Sequence, residues 1–382
     1  MVRKKKKVVK MYQVKENEEL KLVRSKNYNF NFNKKTGEFA RWGKDYQDDP
    51  DYAPAPEILD IEVTTICKGP AGKLCPFCYK SNNPNGQNMS FETFKNVFDK
   101  ISASKILTQI AFGADAGATA NPDLFKMMEY ARSKGVIPNI TVADITEETA
   151  QKLANVCGAV AVSVYKHAGK DVAYDSIKRL SDAGMKQINI HFMISEVTLE
   201  DAFEIMNDTK TDERLTNLNA IVFLSLKQKG RGTKFNTVSQ ENYKKVVDYA
   251  FENNVAIGFD SCSAPTFINA VKERNNFEQL FEMAEPCEST LFSSYINEKG
   301  EFFPCSFTEN WKEGGWAEGI DVTKVDNFIE DVWNHPKTKF FRGSLLNNKD
   351  LNKCRNCPAF QVCGMDMRVP YSYIDDSMQF VA

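Results

Sequence analysis

Nowhere in the 382 residues does an apolar run approach bilayer-spanning length, so a membrane-embedded helix is not expected. Net charge is also missing: 49 lysines and arginines face 51 aspartates and glutamates, for a formal charge of −2. Such a balance produces no field that would mark the chain as a binder of nucleic acid or of a membrane surface. The basic start, Met1-Val2-Arg3-Lys4-Lys5-Lys6-Lys7, lacks the apolar core of a secretory signal and reads as a solvated tail. Residues 1–56 leave no room for a full peptide-binding winged domain. They read as a polar arm with one short hairpin at Lys35-Thr36-Gly37, interrupted at Asp48-Asp49-Pro50-Asp51 and Pro54-Ala55-Pro56.

Cysteine is plentiful. Ten cysteines in a chain with no export signal point to metal or redox work before disulfides, and to a cytoplasmic setting. Cys67, Cys75 and Cys78 form C-x7-C-x2-C directly after the apolar run Ile58-Leu59-Asp60-Ile61-Glu62-Val63. Gly69, Pro70 and Gly72 make the intervening segment a loop, which can wrap three thiolates around one centre as an alternating strand cannot. Three such ligands leave one position open on a zinc ion or a four-iron cluster. Five more cysteines lie at 287, 305, 354, 357 and 363. Cys157, in Leu153-Ala154-Asn155-Val156-Cys157, reads as a buried helix residue. Cys262 stands apart, as a ligand or as a neighbour of substrate.

From residue 57 strand and helix patterns alternate. Strands are expected at 58–65, 108–112, 136–142, 159–164, 187–194 and 220–226. Helices are expected near 90–101, 122–134, 146–156, 171–183, 199–207 and 239–253, opened by Ser90 and Thr146 and closed by Gly135 and Gly184. Six βα units imply a parallel sheet with right-handed crossovers. Residues 255–260 add an edge strand. After 260 the rhythm changes to a helical stretch, 267–283, a hairpin around Gly300 with a cysteine at each end, and a helical region, 327–346.

The cysteine loop after the first strand, its third cysteine followed by Tyr79, resembles the cluster loop of radical S-adenosylmethionine (SAM) enzymes, whose usual spacing is C-x3-C-x2-C. Cys287-x12-Gly300-x4-Cys305 and Cys354-x2-Cys357-x5-Cys363 resemble the SPASM and twitch extensions of that family, which hold auxiliary iron–sulfur clusters. Met367 stands where the SPASM motif has a further cysteine. The resemblance implies an α/β fold, a partial (β/α)6 TIM-like barrel over 57–260 behind a polar arm (1–56). A small cysteine-rich SPASM/twitch-like domain (261–382) would follow.

The family pattern also implies cofactors and site residues. Cys67, Cys75 and Cys78 would hold a [4Fe-4S] cluster that binds SAM. One auxiliary [4Fe-4S] cluster would use Cys287, Cys305, Cys354 and Cys357, with Cys363 able to replace one of them. Phe112-Gly113-Ala114-Asp115-Ala116 stands where the family has Gly-Gly-Glu-Pro. Gly113 and Asp115 would contact the SAM amino group, and Tyr79, Ser163, Asn189, His191 and Arg231 the rest of the cofactor. Asn189 and His191 alternate toward one strand face. Lys227-Gln228-Lys229-Gly230-Arg231-Gly232 suits adenosine or an anionic group, or is simply a basic turn. The implied activity is that of an oxidoreductase-like or peptide-modifying enzyme. SAM would be cleaved to a 5′-deoxyadenosyl radical, which abstracts a substrate hydrogen from a peptide or protein side chain. Electrons would come from a donor such as flavodoxin or ferredoxin. The alternatives are a small-molecule dehydrogenase and, in a different class, a zinc- or iron–sulfur-stabilised binding protein.

Overall fold

Asn29-Phe30-Asn31-Phe32-Asn33 alternates with period two, and in the computed structural model Phe30 and Phe32 turn inward from a strand. The structure describes residues 12–46, 48–285, 287–312 and 314–346. The strand is β3 (Asn29–Asn33) of an antiparallel meander with β1 (Gln13–Glu16), β2 (Leu20–Arg24) and β4 (Phe39–Trp42). The hairpin at Lys35-Thr36-Gly37 is there, joining β3 to β4, but it belongs to a four-stranded sheet rather than to a lone hairpin. Polar side chains dock this sheet. Buried Lys21 donates to the Leu107 carbonyl at 2.7 Å. The Tyr28 hydroxyl donates to Glu57 at 2.7 Å, and Arg41 grips the same carboxylate through Nε and Nη2, each at 3.0 Å.

Seven parallel strands follow: β5 (Ile58–Glu62), β6 (Gln109–Gly113), β7 (Ile137–Val142), β8 (Ala159–Ser163), β9 (Ile188–Ile194), β10 (Ala220–Ser225) and β11 (Ile257–Phe259). Between them run α1 (Phe91–Ser102), α2 (Leu124–Ser133), α3 (Glu147–Val156), α4 (Lys170–Asp182), α5 (Leu199–Thr211) and α6 (Gln240–Glu252). Local chemistry sets their ends. Ser90, Thr146 and Ser239 accept from the N–H three residues on, at 3.1, 3.2 and 3.3 Å. Phe94, Val97, Phe98 and Ile101 bury the inner face of α1, each stabilising the fold by roughly 1.5–3 kcal/mol.

Strand alternation separates core from lumen. On β9, Ile188, Ile190, Phe192 and Ile194 are buried, whereas Asn189, His191 and Met193 are half-buried on the other face. Gln109, Asn139 and Thr141 face the same way on β6 and β7, and Asn139 donates to Gln109 at 3.0 Å. The barrel therefore has an apolar coat and a polar lumen.

The helical stretch expected at 267–283 is two helices, α7 (Ala264–Val271) and α8 (Phe277–Glu282), broken at Asn275-Asn276, residues that favour caps over helix interiors. The hairpin around Gly300 is β12 (Ser293–Ile296) and β13 (Glu301–Phe303), followed by β14 (Ile320–Asp321) and the final described helix, α9 (Pro336–Leu346). β12 pairs in parallel with β5, Ser293 opposite Ile58 through Ile296 opposite Ile61. One ten-stranded sheet thus runs β11-β10-β9-β8-β7-β6-β5-β12-β13-β14. Among the described residues no helix is long and apolar enough to cross a membrane.

Candidate metal and cofactor site

The first cysteine loop leaves the sheet at the C-terminal end of β5, the end at which βα barrels assemble their sites. Thr64 and Ile66 still pair with Asn88 and Asn83, and the loop then turns at Gly69, whose φ is +75°. A Cβ there would lie 2.0 Å from the Lys73 carbonyl oxygen, so only glycine fits. Cys67, Cys75 and Cys78 are half-buried, and no disulfide joins the described cysteines. The Gly69 N–H donates to Cys67 Sγ at 3.3 Å, and the Phe77 N–H points at the Cys75 sulfur. Burial nevertheless pushes the Cys75 thiol up to about 11, helped by neighbouring Cys78. A thiol held so high ionises readily only against a metal cation. Among the described residues no three His, Cys, Asp or Glu side chains converge as for a single chelated ion.

The basic turn after β10 clamps this loop. Gly230, at φ +58°, lies so close that a Cβ would meet the Tyr79 carbonyl at 2.3 Å and the Cys78 carbonyl at 2.7 Å. The Arg231 N–H donates to the Cys78 carbonyl at 3.0 Å. Its guanidinium donates to the carbonyls of Cys75 at 2.8 Å and Asn82 at 3.0 Å. Arg231 therefore braces the polypeptide around the thiols, a role with no signal in the local sequence. Lys229 donates to the carbonyls of Ser306, Phe307 and Glu309 at 3.0–3.3 Å.

Those last contacts reach the second cysteine region. Cys287 and Cys305 are half-buried and close together: neighbouring Cys262 and Cys305 both oppose ionisation of Cys287, and the Ser289 side chain hydrogen-bonds both Cys287 and Cys305. Burial, more than that repulsion, raises both thiols, Cys287 to about 12. The N–H groups of Phe307 and Thr308 point at Cys305, as that of Ser289 does at Cys287. Tyr79 joins the two regions: its hydroxyl donates to Ser306 at 3.1 Å, and its ring lies 4.6 Å from that of Phe307. Beside it Lys80 pairs with Glu62 at 2.6 Å and with Glu309, and the Tyr295 hydroxyl donates to Glu62 at 2.9 Å. Cys354, Cys357 and Cys363 lie outside the described residues.

The remaining expected residues are distributed around the mouth of the barrel. Gly113 is exposed at the end of β6. Asp115 is buried, and its carboxylate accepts from the N–H groups of Gly117, Thr119 and Ala120 and from the Thr119 hydroxyl, at 2.9–3.2 Å. It thereby ties its own loop. Ser163 is buried at the end of β8, where the Tyr165 hydroxyl contacts both it and Cys75. Asn189 and His191 share the lumen face, as alternation predicts, and His191 Nδ1 lies 3.3 Å from Thr141 Oγ1. Burial holds the His191 imidazole down to about 4, with Asp260 pulling weakly the other way. Asp60 is exposed on β5, and the protein walls around it hold its carboxyl above the usual carboxylate range.

Sequence reasoning missed Phe77, Tyr165, Phe192 and Phe235. They line a pocket of about 170 Å³ beside Cys75, with the Phe77 and Phe235 rings 4.3 Å apart. Phe77, the aromatic inside C-x2-C, was the available signal.

Residues 287–358 match the family model of SPASM, an iron–sulfur cluster-binding domain. No curated protein sequence matches the chain. Among solved structures, Streptococcus suis SuiB bound to precursor peptide SuiA shows a TM-score of 0.67 at 14% identity, over 92% of this chain and 95% of that one. A further SuiB structure gives 0.63 at 14%, over 91% and 94%. SuiB bound to S-adenosylmethionine gives 0.58 at 16%, over 81% and 72%. In fold, then, the chain is an open α/β barrel like that of SuiB, and its residues 287–358 resemble the SPASM iron–sulfur cluster-binding domain.

Proposed function

We propose that the chain is a radical SAM enzyme that modifies a peptide or protein side chain. The observation that carries this reading is the placement of three thiols at the C-terminal mouth of the barrel, on a loop clamped by Gly230 and Arg231. Cys67, Cys75 and Cys78 have the donor set for a four-iron cluster with one open iron: soft sulfur ligands, half-buried, two of them offered N–H groups. With SAM bound, such a cluster supplies one-electron cleavage to a 5′-deoxyadenosyl radical.

This chain's own residues supply the surroundings. The aromatic pocket of Phe77, Tyr165, Phe192 and Phe235, beside Cys75, has the flat apolar walls that a purine ring requires. Ser163, Asn189 and His191 offer polar atoms on the lumen side, His191 as a neutral imidazole at pH 7. SuiB was captured with a precursor peptide and, separately, with S-adenosylmethionine. The same fold over most of both chains supports the peptide substrate class. An external donor of the flavodoxin or ferredoxin kind would supply the electron.

The test is anaerobic purification, iron and sulfide counting, and incubation with dithionite and SAM. Iron with 5′-deoxyadenosine formation is expected. Zinc without cleavage, after reconstitution and with the loop intact, would overturn the reading.

A further inference from the structure

We propose that Asp60, on the lumen face of β5, binds a cationic side chain of the peptide substrate, a lysine ammonium or an arginine guanidinium. This rests on the peptide-modifying reading above and names the chemistry of the substrate group held in the lumen.

Strand alternation places Asp60 inside the barrel. Leu59 and Ile61 on either side of it are buried in the apolar coat, and Asp60 is exposed on the opposite face. It stands two residues before the C-terminal end of β5, about 7 Å inside the mouth from which the loop of Cys67, Cys75 and Cys78 departs. The register sets its surroundings. Tyr295 on β12 and Ala111 on β6 flank it, and Asn139 and Ala159 continue the row on β7 and β8. The two alanines project only methyl groups, which leaves room in front of the carboxylate.

The charges around Asp60 are paired with one another. Glu62, the next residue on the same face, is held by Lys80 at 2.6 Å, by the Tyr295 hydroxyl at 2.9 Å and by Asn82 at 3.1 Å. Lys80 also pairs with Glu309, which accepts from Asn297. Asp260 is gripped by Lys227 and by the Ser263 hydroxyl. Asp60 differs: among the described residues no group hydrogen-bonds or ion-pairs with its carboxylate. The side chains that share the lumen, Gln109, Asn139, Thr141, Asn189 and neutral His191, supply dipoles but no positive charge.

A carboxylate left between protein walls without a cation is disfavoured, and its carboxyl is held up accordingly. A cation delivered by substrate removes that cost through a charge-assisted hydrogen bond, the stronger kind. Lysine and arginine carry their charge on long apolar stems, which reach this depth from a backbone lying at the mouth. Held there, the charged end orients the rest of the side chain beneath the cysteine loop.

The experiment is calorimetric or ligand-observed NMR titration of the full-length protein, purified without oxygen, with blocked tripeptides. The probes are glycyl-lysyl-glycine, glycyl-arginyl-glycine and glycyl-(Nε-acetyllysyl)-glycine, the last of similar shape but uncharged. The two cationic peptides should bind about tenfold or more tightly than the acetylated one. D60N should abolish that preference, and D60E should keep it. D51N, at an exposed carboxylate ahead of β5, should leave it unchanged. Circular dichroism and iron content report whether each variant keeps its fold, and the preference of the unmodified protein decides the matter even if D60N does not fold. Equal affinity for charged and acetylated peptides, no binding of either cationic peptide, or a folded D60N variant that retains the preference would overturn the proposal. Butylammonium binding as tightly as the lysyl peptide would overturn the assignment to a peptide side chain. None of these titrations requires SAM or reduced iron, so 5′-deoxyadenosine formation tests the radical SAM reading separately.

Discussion

Lys80 pairs with two buried carboxylates at once, and its removal offers the sharpest test of how the two cysteine regions are joined. Its side chain is 11% exposed, those of Glu62 and Glu309 7% and 11%. At 2.6 Å the Lys80–Glu62 attraction is on the order of 6 kcal/mol at an effective dielectric of about 20, and desolvation of the ions offsets much of it. Lys80→Met leaves two like charges buried, still hydrogen-bonded by Tyr295, Asn82 and Asn297 but without the ammonium that pairs with both. The expected destabilisation is about 3–5 kcal/mol, against about 0–1 kcal/mol for an exposed pair. Urea unfolding followed by tryptophan emission suits the measurement, since Trp311, Trp316 and Trp333 all lie in the segment that carries Glu309. The triple variant E62Q/K80M/E309Q, with no buried charge, should recover most of the loss. A Lys80→Met change below about 1 kcal/mol, or a triple variant no better than the single one, would refute the reasoning.

Gly230→Ala should push Cβ into the Cys78–Tyr79 backbone, costing roughly 1–3 kcal/mol of strain and lowering iron retained after anaerobic desalting. Arg231→Lys, which cannot reproduce the forked contact to Cys75 and Asn82, should do the same in milder form; iron retention equal to that of the unmodified protein would count against the clamp. Phe77→Ala should weaken SAM binding at least tenfold, as equilibrium dialysis would show, while leaving iron content unchanged. His191 is held at about 4 against an ordinary 6.5, so the unfolded chain takes up its proton first as pH falls. Stability should be full above about pH 6.5 and drop by about 3 kcal/mol toward pH 4. Urea midpoints across this range should show a shallower slope for His191→Gln, and an unchanged slope would exclude His191 as the cause.

Local chemistry is what a sequence displays, and the barrel is made of it. Ser90 and Thr146 cap where expected, and the alternation of Asn189 and His191 is the alternation that the lumen shows. Sequence reasoning expected one short hairpin in the N-terminal arm and missed the strand at Asn29-Phe30-Asn31-Phe32-Asn33, whose partners depend on Phe30 and Phe32 having a surface to cover. The pairing of β12 with β5 joins residues more than 230 positions apart and leaves no local trace. The cysteines were legible by type and spacing. The roles of their neighbours were not, because those roles depend on which carbonyl a cation reaches. Arg231 and Lys229 carry charges that suggest an anion, and the fold turns them onto the backbone of the two cysteine regions. Asp115 carries the carboxylate its motif position asks for, and its own loop supplies four donors to it.

The seam between β5 and β12 has a practical meaning for anyone who would divide this protein. Ending the chain at residue 260 would strip β12 from β5 and bare the hydrogen-bonding groups of Ile58 to Ile61. The first strand of the barrel would become an unprotected edge, inviting another copy to pair with it. The same cut would deprive Lys80 of Glu309 and Tyr79 of Ser306, beside the loop that carries Cys75 and Cys78. The parallel barrel of this molecule is therefore not a separable module: its first strand is finished by residues that arrive more than two hundred positions later.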